Sequence, residues 1–181
     1  RGHICGSADR LFTQEANDQT FYFSNMSPMI HSFNSPYWAE FEEQVRKWGG
    51  AEKDFTTTYS KLYVVKGGAL NELLVSYTGQ KNGGDNIKPT TDANGFTKGG
   101  LACPKYYFMA VLSETDGAYH AIGFRVEHKE YSEAPTLEEL KASALSIDEL
   151  EEKTGIDFFC NLPDDLENTV ESSMNLDDWA W

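Results

Sequence analysis

The first three residues combine two side chains that can act together on an anion. Arg1 and His3 are separated by one glycine, so both side chains lie on the same face of an extended strand. A guanidinium forms strong hydrogen bonds to anionic oxygens, and a neutral imidazole, whose ordinary pKa is about 6.5, can accept a proton near neutral pH. The stretch RGH is therefore typical of the interior of an active site, with an anion-binding group beside a base.

A helix with clear boundary signals carries the next candidate residues. In NSPYWAEFEEQVRKWGG, Asn34 or Ser35 can cap the helix, and the glycine pair 49–50 ends it. The apolar residues recur at helical spacing and predict one buried stripe, formed by Trp38, Phe41, Val45 and Trp48. Three polar residues fall on the same side or at its edge, and we expect them to face the protein: Asn34, Glu42 and Arg46.

The segments around this helix predict an α+β domain. FYFSNMSP, at 21–28, reads as a strand with Asn25 on the same face as the first and third aromatic residues. KLYVVKGGAL predicts a strand with a turn at the glycine pair 67–68, and NELLVSYTG predicts another strand or a short extended piece. Residues 79–100 predict a long loop or a hairpin with a mobile tip. KYYFMAVLSE and YHAIGFRVEH predict a hairpin, and helices are expected over 135–141 and in SIDELEEKTG, where Ser146 and Glu149 suit a capping box.

Composition restricts the class of protein. A chain of 181 residues with 40% hydrophobic residues can bury one ordinary core. The sequence has no run of about 18 consecutive apolar residues, so no membrane span is predicted. The cysteines at 5, 103 and 160 lack metal-ligand spacing, which favours buried free thiols and leaves one disulfide plus one thiol open. The net charge of −14 argues against a passive nucleic-acid coat protein, but allows a metal-dependent phosphate enzyme, since the cation supplies positive charge.

Several ordered blocks closely resemble the DNA/RNA non-specific endonucleases of the ββα-metal, or His-Me finger, group, which includes relatives of mitochondrial endonuclease G. The blocks are RGH at 1–3, FYFSNMSP at 21–28, FNSPYWAEFEEQVR at 33–46, YVV at 63–65, CPKYYFMAVL at 103–112, AIGF at 121–124 and SIDELEEKTGIDFF at 146–159. The resemblance implies an α+β, ββα-metal core with an antiparallel sheet and flanking helices. It places one nuclease domain at 1–181, the metal motif at 1–48 and an acidic helical part at 135–181.

The resemblance also implies the reaction and the residues that carry it. The expected activity is Mg²⁺-dependent, sugar- and sequence-non-specific hydrolysis of phosphodiester bonds in DNA and RNA, with Mn²⁺ or another divalent ion as a substitute. His3 is then the general base and Asn34 the direct metal ligand. The other roles are phosphate contact for Arg1 and Arg46, orientation of metal-bound water for Glu42, and support of His3 for Asn25.

Departures from the family pattern add further expectations. Gly6 stands where a proline is common, and the Asp, Arg and strands that the family has upstream would precede Arg1. We therefore expect a domain that lacks its N-terminal part, with that part as a separate chain or absent. Family habit suggests a secreted or periplasmic protein, and a homodimer stays open. The alternatives are a degenerate, non-enzymatic relative that binds nucleic acid or a protein partner, and a nuclease toxin domain.

Overall fold

The computed structural model describes residues 1–50, 59–79 and 88–181. These residues form an α+β arrangement of antiparallel strands and helices, so the predicted fold class is confirmed. In chain order the elements are β1 Gly2–His3, α1 Gln14–Gln19, β2 Met26–Ser27, α2 Ala39–Trp48, β3 Lys61–Leu73, β4 Pro104–Thr115, β5 Ala118–Glu127, α3 Leu137–Ala142, β6 Ala144–Leu145, α4 Ile147–Thr154 and α5 Asp164–Glu171.

Two sheets organise these elements. Strands β1 and β2 form an antiparallel ribbon in which His3 pairs with Met26, and the second sheet has the order β3-β4-β5-β6. The predicted hairpin is confirmed as β4 and β5. Its turn uses Asp116 and Gly117, both with positive φ (52° and 82°), which is the backbone that a tight two-residue hairpin turn requires.

Two strand predictions were wrong. The strand expected over 21–28 is reduced to β2, preceded by a short 3₁₀ helix, Phe23–Asn25. The Asn25 side chain bonds to nearby backbone groups, and such local bonding competes with an extended ladder. The turn expected at 67–68 is absent because β3 runs straight through it. A Cβ on Gly68 would overlap the Pro104 ring, so this glycine allows close packing and does not make a turn.

The helix that carries the candidate residues begins irregularly. An irregular helical turn, Phe33–Trp38, precedes α2, and Ser35 within it is extended (φ −149°, ψ 121°), as expected for a residue before proline. The predicted stripe is mostly confirmed, because its two tryptophans and its phenylalanine are buried. Gln44 is buried in place of Val45, since its amide donates to the carbonyl of Ala180.

The C-terminal helices follow local sequence signals. Helix α4 starts at the predicted capping box of Ser146 and Glu149, and α3 has its own box, formed by Thr136 and Glu139. Helix α5 and strand β6 were not predicted. The loop or hairpin expected over 79–100 lies partly outside the described residues. Isolated antiparallel bridges join Thr91 to Thr97 and Phe96 to Ala102.

The chain divides into two units, each with its own buried residues. The first comprises Arg1–Glu42, Gly67–Tyr107 and Glu127–Ala134, and its largest buried side chains are Met29, Ile30, Phe33, Trp38, Phe41 and Tyr107. The second comprises Glu43–Lys66, Phe108–Val126 and Pro135–Trp181, with Trp48, Met109, Ile122, Ile147, Leu150 and Phe158 at its centre. One nuclease domain over 1–181 stays a prediction.

Two further expectations concern cysteines and membranes. All three cysteines are free thiols, but only Cys103 is buried, so burial of the other two was predicted wrongly. Among the helices in the described part of the chain, none has the length and apolar character needed to cross a membrane.

Candidate active site

The ribbon of β1 and β2 holds His3 through a clasp made by Asn25. The amide N–H of Ile4 donates to the Asn25 carbonyl at 2.9 Å. The Asn25 side chain accepts from the N–H of Cys5 at 2.8 Å and donates to the carbonyls of Cys5 and Thr20 at 2.8 and 2.7 Å. These bonds fix the backbone directly after His3, and support of His3 by Asn25 stays a prediction.

The His3 ring is packed in place, but one of its nitrogen atoms has no hydrogen bond within the described residues. It packs edge-on against Phe21, with ring centroids 5.0 Å apart. Its Nε2 atom is buried and has no hydrogen-bond partner among the residues that the structure describes. Buried polar atoms of native proteins are nearly always paired, so this nitrogen is suited to bind a group that the protein chain itself does not supply.

Asn34 reaches the same strand from the start of the irregular helical turn. A Cβ on Gly2 would overlap the Asn34 Oδ1 atom and the Met29 sulfur, so the amide oxygen occupies the space left by the missing side chain. The Asn34 N–H donates to the carbonyl of Ile30 at 2.9 Å. The structure therefore places the Asn34 oxygen against β1 at Gly2, the residue between Arg1 and His3.

A buried histidine supports the segment that leads to Asn34. His128 Nε2 accepts from the N–H of Ile30 at 2.7 Å, so its proton lies on Nδ1, which donates to the carbonyl of Pro104 at 2.8 Å. Burial lowers the pKa of His128 to about 4. His128 is thus a neutral, structural residue near pH 7.

Two carboxylates approach the turn that follows His3. The Gly6 N–H donates to Asp9 Oδ2 at 3.2 Å, and a Cβ on Gly6 would lie 3.4 Å from Glu42 Oε1. The predicted site residue Glu42 is therefore brought to the same turn as Asp9. Sequence reasoning gave Asp9 no definite role, although it follows Gly6 at the three-residue spacing that lets an acid bond back to the start of a helix.

The two arginines are placed differently. Arg1 is exposed, and its guanidinium lies 6.0 Å from the ring centroid of Phe23. Arg46 lies in the last turn of α2, four residues after Glu42, and belongs to the second unit. The structure thus gathers His3, Asn25, Asn34 and Glu42 around β1 and the turn after it, with Arg1 at the start of the strand.

Exposed aromatic rings surround this region, and sequence reasoning missed them. Phe23 is 84% exposed, and Phe12, Tyr22 and Phe21 are more than half exposed. An apolar cavity of about 320 Å³ lies beside Arg1 and Phe23 and reaches Lys88. The run FYF directly before the Ser-Asn pair could have indicated these exposed rings. It was interpreted as part of a strand, with two of its rings on one face, and so its exposure was not predicted.

The donor set around β1 fits a hard divalent cation. Mg²⁺ prefers oxygen ligands, keeps several waters and needs only one or two protein groups. Asn34 offers an amide oxygen in the space beside Gly2, and two carboxylates lie at the turn around Gly6. Oxygen atoms of the amide and the two carboxylates are therefore sufficient ligands for such a cation.

A histidine on a two-stranded ribbon, followed by a helix whose first residues turn an amide oxygen onto that ribbon, defines a ββα nuclease core. The chain belongs to the DNA/RNA non-specific endonuclease family, whose family model matches residues 1–165.

Curated nucleases are similar along most of the chain. A nuclease of Syncephalastrum racemosum is 30% identical over 90% of this chain and 47% of its own length. A nuclease of Nostoc sp. is 29% identical over 97% of this chain and 56% of its own length. Human mitochondrial endonuclease G is 25% identical over 90% and 48%, respectively. The chain spans about half the length of these relatives.

Proposed function

We propose that this chain carries the catalytic residues of a divalent-metal-dependent nuclease that hydrolyses phosphodiester bonds in DNA and RNA without sequence or sugar specificity. Two observations support the proposal: the Asn34 oxygen lies against β1 at Gly2, and the buried Nε2 of the neighbouring His3 in the same strand has no partner in the described chain. A base and a metal ligand are the two groups that such a hydrolysis needs first. Membership in the endonuclease family supports the same reaction.

In this proposal His3 takes the proton from the attacking water, because a neutral imidazole is a suitable general base near neutral pH. Asn34 would hold Mg²⁺, or Mn²⁺ in its place, and Glu42 would orient the waters around the ion. The bound cation would neutralise charge on the phosphate and on the departing oxygen. Arg1 and Arg46 contact phosphate oxygens through their guanidinium groups, and Asn25 keeps His3 in position.

The lack of sequence preference has a structural basis in the same proposal. Contacts to phosphate carry no sequence information. The exposed rings of Phe12, Tyr22 and Phe23 can stack on unpaired bases, and such stacking tolerates every base. Relatives named as nucleases in a fungus, a cyanobacterium and human mitochondria are in line with a nucleic-acid substrate.

Cleavage of two substrates tests the proposed function. Supercoiled plasmid and single-stranded RNA are incubated with the chain in Mg²⁺ and in EDTA. We expect both substrates to be cut in Mg²⁺ and neither in EDTA. Cleavage that persists in EDTA would overturn the metal dependence. Binding of either substrate without cleavage in any divalent ion would favour the non-enzymatic alternative.

Three associated expectations stay predictions. They are an N-terminal segment that completes the domain as a separate chain, a homodimer, and a secreted or periplasmic location. The names of the relatives include mitochondrial nucleases, so compartments differ among similar proteins. Fractionation of the source cells, followed by sizing of the native protein, tests all three.

A further inference from the structure

Three acidic side chains meet at helices α4 and α5 in the second unit. Asp148 and Glu151 lie three residues apart on α4, and Glu171 is the last residue of α5. One carboxylate oxygen from each lies within 4.8 Å of the other two. Like charges at this distance repel one another, so a proton or a bound cation would stabilise the grouping.

Glu171 distinguishes this grouping from an ordinary acidic surface. Its side chain is buried, with only 4% of its surface exposed, and its Oε1 atom has no hydrogen-bond partner within the described residues. A carboxylate at the last residue of a helix also meets the negative end of the helix dipole. Burial and dipole both disfavour a bare negative charge here, and a bound cation would relieve both.

Several acids surround Glu171. Burial, together with four nearby acids, raises the pKa of Glu171 to about 8; the acids are Glu151, Glu167, Asp148 and Asp157. Burial likewise raises the pKa of Glu151, whose Oε1 accepts from the N–H of Phe158 at 2.6 Å. That bond fixes the Glu151 carboxylate and leaves its second oxygen for another partner.

The chemistry of the ligands selects the ion. Ca²⁺ takes six to eight oxygens at about 2.3–2.6 Å in a flexible geometry, whereas Mg²⁺ requires a near-ideal octahedron and usually has one or two carboxylates. Here three carboxylates converge, and Asp148 is exposed to solvent, which gives an ion access and room for water ligands. We propose that Asp148, Glu151 and Glu171 bind a calcium ion that joins helix α4 to helix α5.

Calcium binding to the chain tests this site separately from nuclease activity. The parent is the Asn34→Ala variant, which lacks the proposed active-site ligand, and it is titrated with Ca²⁺ by calorimetry and by thermal unfolding at pH 7.5. We expect one bound ion per chain and a melting temperature raised by several degrees at saturation. Because only binding and unfolding are read, failure here leaves the proposed nuclease function untouched.

Substitutions at the cluster complete the test. In the same parent, Glu171→Gln should weaken Ca²⁺ binding at least about tenfold, since it removes a charged ligand. Without Ca²⁺ it should melt at a higher temperature than the parent, because a neutral amide replaces a buried acid. Glu152→Gln, an exposed acid on the same helix, is the matched control and should bind Ca²⁺ like the parent. Asp148→Asn, at an exposed position, gives a second readout and should also weaken binding.

Three results would overturn the proposal. The first is a parent that binds no Ca²⁺ at millimolar concentration. The second is unchanged affinity in both Glu171→Gln and Asp148→Asn. The third is stabilisation by Mg²⁺ at lower concentrations than by Ca²⁺, which would contradict the choice of ion.

Discussion

The side-chain oxygen of Asn34 lies in the space that a Cβ on Gly2 would occupy. This relationship joins the strand that carries His3 to the segment that leads into helix α2. Gly2 is therefore required for space. The position of the proposed metal ligand thus depends on the absence of one methyl group at Gly2, next to the proposed base His3.

Replacing Gly2 by alanine should displace Asn34. We expect Gly2→Ala to lower the rate of plasmid cleavage by about 100-fold, because displacement of a ligand by about 1 Å can cost that much. The matched control is Gly99→Ala, since a Cβ at position 99 has no neighbour closer than 4.0 Å. A Gly2→Ala variant that cuts plasmid at the normal rate would show that Asn34 need not lie against β1.

Glu42 should affect the Mg²⁺ dependence of cleavage more than the stability of the fold. Glu42→Gln is expected to reduce activity by about 10–100-fold, the usual cost of losing a group that orients metal-bound water. The loss should appear in the Mg²⁺ dependence of the cleavage rate. Its neighbour Glu43 pairs with Lys47 at 2.8 Å, and Glu43→Gln should leave activity within about twofold, since such exposed pairs contribute little. Equal effects of Glu42→Gln and Glu43→Gln on activity would contradict a role for Glu42 in the active site.

Asn25 should be important for stability as well as for activity. Asn25→Ala removes three hydrogen bonds to the backbone of Cys5 and Thr20, and we expect the free energy of unfolding to fall by about 2–3 kcal/mol. Urea unfolding measures this. Asn168, which makes one bond on an exposed helix face, provides the control, and Asn168→Ala should cost less than about 1 kcal/mol. A smaller loss of unfolding free energy for Asn25→Ala than for Asn168→Ala would contradict the stabilising role of the Asn25 hydrogen bonds.

The neutral His128 should make the fold sensitive to acid. Its folded pKa of about 4 lies below the ordinary 6.5, so only the unfolded chain binds this proton between those values. Stability from this group is complete above pH 6.5 and is lost as pH falls toward 4, by roughly 3 kcal/mol in all.

Urea unfolding at pH 7 and pH 4.5 checks the role of His128. His128→Gln should be less stable than the wild type at pH 7 because it loses buried hydrogen bonds, but its stability should fall less between the two pH values. The exposed His31 is the matched control, and His31→Gln should keep the pH dependence of the wild type. The same pH dependence in His128→Gln as in the wild type would refute the assignment.

Local sequence signals predicted those elements whose structure is decided locally. The β4–β5 hairpin has a tight turn at Asp116 and Gly117, and helix α4 has its capping box, and both follow from neighbouring residues alone. The glycine pair 67–68 could not be interpreted in this way. Whether Gly68 makes a turn or allows close packing depends on Pro104, a residue distant in sequence that covers it.

The site was predicted as a set of residues but not as a geometry. The types and spacing of His3, Asn34 and Glu42, with the family resemblance, identified the candidates. The contact of Asn34 with Gly2 and the approach of Glu42 to Gly6 required the packed structure, because they join segments far apart in the chain. The acidic grouping at Glu171 was missed for the same reason, and because helix α5 was not predicted.

The cleavage rate of His3→Ala tests the central claim most directly. Plasmid is cut in saturating Mg²⁺ by the wild type and by the variant, and circular dichroism confirms that the variant is folded. Loss of a general base should lower the rate by about 10²–10⁴-fold, with the unfolding free energy nearly unchanged. A folded His3→Ala variant that cuts plasmid within about twofold of the wild-type rate, well outside that range, would contradict the account.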